Sequence, residues 1–429
     1  MRNRSLVLLG VMVIAFAAAC QGAQQGGKPA KLTVAALQGD ESLGLKAIAS
    51  SCGTQIGTTI EFVDNPYDAL YEKLVTTFQA NDATFDLVMI DDPWMPKFGT
   101  DGSFQDLGQF GIKNDPDIPQ IVWDVGTWPP PHGAVPPSEK GKTAQLLGVT
   151  VVGNVEMFMN RSDVLPTPKT YDEVLANAKA QDKADFAGYI IRGKATNPVT
   201  ADFLPILWSF GGDVFDDDWN VVFDNDASKA AIKFLVEDLK AAAQDDPANT
   251  DAADRSQLFA TGKGLQSSVW PGEIAGIVNN AETSQVIGKA EYTPIPAGPS
   301  GKGIGMMGNW MLAIPKASKN GATAAEFIKC AMSADSQKTM AANKGIPSRT
   351  SVLNDAELGK TNPYFPVLAQ ALTVPPNWRP RTDQWNAVEK IIGTHLNNAL
   401  AGGETADDVA TKASAEIRTL MQGAGYPTK

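Results

Sequence analysis

"PYDALYEKLVTTFQANDATFDLVMID" occupies residues 66–91. Its first half places Leu70, Leu74 and Phe78 at i, i+4 and i+8, the spacing of one helix face. Pro66 suits the opening of that helix, where its missing N–H costs nothing. The second half, residues 85–91, is a short apolar run that reads as a buried strand. The same alternation extends upstream. "KLTVAAL" at 31–37 is strand-like, "SLGLKAIASSC" at 42–52 helical, and "TIEFVD" at 59–64 a strand. Strand, helix, strand, helix, strand predicts a parallel sheet covered by helices.

Further along, the pattern pauses and restarts. Residues 108–142 are rich in Pro and Gly, "WPPPHG" included, and read as irregular surface. An alternating run, "GVTVVGNVEMFMN", fills 148–160. "TYDE" at 170–173 is a capping box that opens a helix. "FAGYII" reads as a strand and "FLPILWSFGG" as a helix ended by glycines. Ala231, Phe234, Leu235, Leu239 and Ala242 form one helical stripe. "LQSSVWPGE" and "EYTPIPAG" supply further strands. "GIGMMGNWMLAIP" at 303–315 sets Trp310 behind several glycines and before a buried strand. Two helices are expected in 320–345. The tail from about 362 to 429 reads as helical throughout, with Val388, Ile391, Ile392, Leu396 and Ala399 on one face. The order predicts an α/β chain of two lobes joined by more than one crossing.

The chain has 429 residues, 43% of them apolar, which is enough for two cores. Its net charge is −12, and no basic cluster suited to nucleic acid is present. The N-terminus reads as a signal peptide over 1–19: Arg2 and Arg4 precede an apolar stretch at 6–18 that is too short to span a bilayer. "AAAC" at 17–20 resembles a bacterial lipobox, in which Cys20 becomes the lipidated first residue; the alternative is an ordinary signal peptide cleaved near Ala19. Residues 20–30 read as a flexible tether. Cleavage removes two arginines and leaves 34 basic against 48 acidic residues. With Cys20 lipidated, Cys52 and Cys330 remain, and the count leaves open a bridge or two separate thiols.

Most catalytic chemistry finds no support. There are two histidines, His132 in a Pro-rich loop and His395 on an apolar helix face. No GxSxG, zinc spacing or phosphate loop is present. "DVFDDDWNVVFDND" at 213–226 lacks the glycine and distal Glu of an EF-hand and reads as a solvated turn, with Asp226 capping the next helix. Asp91 and Asp92 end a strand. Paired carboxylates could act as in a glycosidase, but adjacent residues at a strand end point apart, which favours binding. Nine tryptophans remain, several at element ends: Trp94, Trp270, Trp310, Trp378 and Trp385. Indoles with carboxylates and an arginine suit a sugar, whose C–H face stacks and whose hydroxyls need charged hydrogen-bond partners.

Several stretches together resemble the extracellular solute-binding proteins of ABC importers, in the maltose/trehalose/oligosaccharide-binding lipoprotein branch: "FDLVMIDDPW", "GVTVVGNVEMFMNRSDVLP", "LWSFGGDVFDDD", "GNWMLAIPKAS", "KGIPSRTSV" and "RPRTDQWNAVEKII". The resemblance implies a two-lobed periplasmic-binding-protein clamp with a helical C-terminal segment. It maps lobe 1 to 30–147 and 304–349, and lobe 2 to 148–303 and 350–429. That mapping puts Cys52 and Cys330 in helices of one lobe, which favours a disulfide. It also implies ligand contacts at Asp40, Asp91, Asp92, Trp94, Asn154, Trp208, Asp213, Trp270, Gly308, Trp310 and Arg381, with Gly308 letting the backbone approach the ligand. Val151 and Val152 stand where the family often has an aromatic, which removes one possible stacking residue and leaves the number of subsites open. The expected activity is capture of a mono- or oligosaccharide by hinge closure and delivery to an ABC permease. The protein is expected to be a monomer anchored by lipid to the bacterial cell envelope, with no cofactor, metal or catalysis. The alternatives are a clamp for a polyol or phosphorylated glycerol, or a secreted glycoside hydrolase using Asp91 and Asp92.

Overall fold

A computed structural model describes residues 28–373 and 377–428. The expected signal peptide, Cys20 and the tether up to residue 27 lie outside the described residues. Among the described residues, no helix is long and apolar enough to cross a membrane.

Strands β1 (Lys31–Leu37), β2 (Thr59–Asn65) and β3 (Leu87–Asp91) pair in parallel, with β1 in the middle. The helix Tyr67–Gln79 starts directly after Pro66 and buries Leu70 and Leu74, as its spacing predicts. Strands β4 (Thr127–Trp128) and β5 (Gln145–Leu146) form a separate antiparallel pair. Next come β6 (Val149–Val152) and β7 (Met157–Arg161). Later strands are β8 (Gln266–Val269), β9 (Ala290–Thr293) and β10 (Trp310–Ala313). The first sheet runs β2-β1-β3-β10-β6, with β10 antiparallel to both neighbours. The second runs β8-β7-β9, all antiparallel.

The alternating run at 148–160 therefore serves two sheets. Residues 153–156 carry the chain from one to the other, and the stretch between β9 and β10 brings it back. The sequence reading opened the second lobe at 148, whereas β6 is hydrogen-bonded into the first sheet. It also gave everything after 350 to the second lobe. Val352, Leu353, Phe365 and Leu368 pack in the apolar cluster that contains the first sheet and extends to Met159 and Tyr292 of the second, while Trp385, Val388 and Leu396 pack in the other cluster.

Local differences have local causes. The helix expected over 42–52 is a 3-10 turn (Asp40–Ser42) followed by helices Leu43–Ala47 and Ala49–Ile56. "FAGYII" is not a strand of either sheet. Its backbone is satisfied by isolated bridges to Gly264 and Ala243, and Ile190 and Ile191 are buried. Asn225, not Asp226, caps helix Asp226–Lys233 by accepting the Ser228 N–H. The tail holds helices Phe365–Thr373, Trp385–Leu400 and Ala406–Gly423, interrupted by the non-helical residues 377–384. A Cys52–Cys330 disulfide, with Cα atoms 5.8 Å apart, ties helix Ala49–Ile56 to helix Gly321–Met332.

Candidate functional site

A cleft of about 750 Å³ opens between the two sheets. From the first side come the turn after β1 (Asp40, Glu41), the start of helix Tyr67–Gln79, the end of β3 (Asp91) and the start of β10 (Trp310). From the other come Arg192, Lys194, Asn197, Asp251, Trp270 and Glu273, and Arg379 enters from the tail. Strand ends and helix starts supply most of these groups, because there the backbone turns away from the sheet and leaves side chains free to converge, while Arg192, Lys194 and Arg379 come from irregular segments.

Of the eleven residues expected at the ligand, Asp40, Asp91, Asn154, Trp270, Gly308 and Trp310 line this cleft. Asp92, Trp94, Trp208, Asp213 and Arg381 do not. Asp92 is 1% exposed and its carboxylate faces the interior, with Arg379 Nη2 3.5 Å away. Trp94 is packed edge-on against Trp310 and tilted against Tyr67, at ring-centre distances of 5.5 and 5.0 Å. Trp208 is buried in helix Asn197–Ser209 and donates its indole N–H to Asp213. Arg381 donates to the carbonyls of Asp92 and Val125 and lies over the Trp128 and Trp378 rings, so it braces the backbone below the cleft.

Gly308 has a role other than the expected one. A Cβ there would stand 2.5 Å from Cζ3 of Trp270. The space next to this glycine belongs to the Trp270 ring. Trp270 is only 8% exposed and Trp310, packed against Tyr67 and Trp94, only 5%, so the two indoles form a rim to the cleft more than an open stacking platform.

Charge is arranged in two groups. On the first side, Asp91 accepts hydrogen bonds from Tyr67 Oη at 2.8 Å and Arg379 Nη1 at 3.0 Å. Burial pushes the Asp92 carboxyl up to about 7 against the opposing pull of Arg379, and burial likewise lifts Glu389 to about 7. On the other side, fully buried Arg255 bonds to Glu273, Asp202 and Ser268. Arg192 bridges Asp251 and Asp202 at 3.1 and 3.3 Å, and Lys194 reaches Asp251 at 3.0 Å. Burial opposes ionisation of Asp251, but Arg192, the Ala252 N–H and Lys194 outweigh it and hold the carboxyl at about 2. Every cation lining the cleft is thus already paired.

The two sides touch at one end. The Asp40 carboxylate lies against Gly276 and that of Glu41 against Gly272, where added Cβ atoms would meet them at 1.9 and 3.3 Å. Gly272 and Gly276 are four residues apart, on one face of the helical turn Pro271–Glu273 and its π-helical continuation Ile274–Val278. Burial pushes Glu41 up to about 7, reinforced by Asp40, Glu273 and Asp91. Sequence reading missed Glu41, Tyr67, Arg192, Lys194, Asn197, Asp251, Glu273 and Arg379. The proline at 66 and the cap at Asp251 mark helix starts, a usable signal for Tyr67 and Asp251. Arg192 and Lys194 follow an irregular segment with no pattern to place them.

Two α/β lobes with multiple chain crossings and a cleft lined by both define a ligand-binding clamp. The chain belongs to the bacterial extracellular solute-binding proteins, whose family profile matches residues 54–338. Among relatives, a probable amino-acid ABC transporter periplasmic-binding protein of Sinorhizobium fredii is 25% identical over 386 residues, covering 86% of this chain and 84% of its own. The mannitol-binding protein of Pseudomonas aeruginosa is 24% identical over 61% of this chain and 64% of its own. Among solved structures, the maltose-bound MalE3 of T. maritima superimposes with a TM-score of 0.79 at 25% identity, covering 91% of this chain and 99% of its own. A ribitol complex of a solute-binding protein from Agrobacterium radiobacter gives 0.81 at 21% identity, covering 92% and 99%. Family members are substrate-binding proteins of ABC transporters, not enzymes, so the glycoside-hydrolase alternative falls. The burial of Asp92 away from the cleft agrees, because a hydrolytic pair must flank the scissile bond.

Proposed function

We propose that the protein captures a sugar or polyol in the interlobe cleft and delivers it, by hinge closure, to an ABC permease. The observation that carries this reading is the lining itself: carboxylates and indoles from both lobes converge on one cavity of about 750 Å³. Such a ligand touches both halves, so it favours the closed state by its differential affinity. Relatives named for mannitol, ribitol and maltose support the class. A phosphorylated glycerol fits less well, because Arg192, Lys194 and Arg379 are each spent on a carboxylate. The ligand set we assign is Asp40, Asp91, Asn154, Trp270 and Trp310, extended by Glu41, Tyr67 and Asn197.

In the same reading, the lobes divide after β6 and again near 373–385, and Cys20 carries a lipid that holds a monomer at the outer face of the cell membrane. Isothermal titration of the protein against neutral hexoses, disaccharides and sugar alcohols tests the core of it. Micromolar binding, about −8 kcal/mol, is the expected result for at least one of them. Silence across the whole panel, in calorimetry and in thermal shift, overturns it.

A further inference from the structure

The cleft holds more negative charge than it neutralises. Asp91 pairs with Arg379, Asp251 with both Arg192 and Lys194, and Glu273 with Arg255 behind the lining, so Arg192, Lys194 and Arg379, the cations of the lining, are all engaged. Of the three acids left in the lining, Asp68 is exposed to water, whereas Asp40 and Glu41 are partly buried. Among the described residues, no ion pair reaches either carboxylate. Lys344 acts on Asp40 only through its field, and Glu41 is met only by its own backbone N–H. Both are partly buried against the glycines of the opposite lobe, where water is a poor substitute for a partner. Asn154, only 2% exposed, lines the same cleft with its Oδ1 unpartnered. Among the described residues, no group of three or more His, Cys, Asp or Glu is placed to hold a metal ion.

We propose that the natural ligand is polyhydroxylated and carries an ammonium group, which seats against the Asp40 and Glu41 carboxylates as the lobes close: an amino sugar or an amino polyol. This deepens the sugar-or-polyol reading and rests on it. An ammonium supplies three donors and one positive charge, which matches two adjacent carboxylates without a cation of their own. Burial that penalises those carboxylates when the cleft is empty becomes an advantage once a cation fills it, because the attraction then acts in a medium of low polarity. A neutral hydroxyl in the same place leaves the excess charge uncompensated, and a phosphate adds to it.

The test is calorimetry on the mature protein, stripped of bound ligand, with matched triplets in the gluco, manno and galacto series: the 2-amino sugar, the neutral hexose and the hexose 6-phosphate. The expected result is that in at least one series the amine binds ten times more tightly than the hexose or better, while the phosphate does not bind. That advantage should shrink between 0.05 and 0.5 M salt. Glu41→Gln should bring the amine-to-hexose affinity ratio, both measured on the same variant, down to within about threefold, and Asp40→Asn provides the second variant should the first fold poorly. Hexose binding as tight as amine binding in every series overturns the proposal and leaves the sugar reading standing. Hexose affinity that climbs on acidification also overturns it, since protons then do the work assigned to the ammonium. No binding by any member overturns the amine proposal, and silence that extends to the disaccharides and sugar alcohols overturns the sugar-or-polyol reading as well.

Discussion

Gly308 was legible as a site of close approach, but the neighbour was not. A sequence shows that a side chain is missing; it does not show what fills the gap. Here a rigid indole does, so Gly308→Ala forces Trp270 out of place. We expect at least a tenfold loss of ligand affinity by calorimetry, with little change in the circular dichroism spectrum. Asp92 and Arg381 were misassigned for a related reason. Adjacent strand-end residues point in opposite directions, and Asp91 took the cleft while Asp92 took the interior. Arg379, two residues before Arg381, reaches Asp91 and the cleft. Replacing Arg379 with methionine leaves Asp91 and Asp92 buried without their cation, a loss on the order of 3–5 kcal/mol. Chemical denaturation should read it as a lower midpoint with an unchanged slope.

At the scale of elements, the β/α alternation of residues 31–91 was readable because each period is long enough to repeat. "FAGYII" was not, because a short apolar run buried among loops has the same composition as a strand and only its hydrogen-bond partners differ. The contact between turn Asp40–Ser42 and the face bearing Gly272 and Gly276 was also invisible, since it joins elements more than 200 residues apart. Its carboxylates give it a pH dependence. Glu41, Asp92 and Glu389 each sit near 7 in the folded protein, above the ordinary carboxyl range. A carboxyl raised on folding favours the folded form below its raised value, and that contribution disappears as pH rises through it. Asp251, held near 2, titrates below this window. The ligand-free protein should therefore melt higher at pH 5.5 than at pH 8, by about 2 °C or more. Glu41→Gln should narrow the gap, and a melting temperature that is flat or rising with pH contradicts the assignment. Gly276→Ala tests the same contact sterically, because its methyl needs the space of the Asp40 carboxylate. Ligand affinity should fall at least fivefold.

At the scale of the molecule, two lobes and repeated crossings followed from the order of elements, yet the crossing points did not. Residues 148–160 alternate without a break, so nothing in the pattern marks residues 153–156 as the passage between sheets. The Cys52–Cys330 bridge was implied once both cysteines fell in one lobe, and it is present. Cross-links that close long loops stabilise by about 2–4 kcal/mol in typical cases. Reduction with a thiol should lower the melting temperature by several degrees without abolishing ligand binding, because neither cysteine lines the cleft.

The same bridge joins positions 278 apart in sequence, with the whole of the second sheet between them. A protease that nicks any loop inside that span cannot separate the two fragments. On a denaturing gel the cut protein should run as one species until a reductant is added, and only then as two.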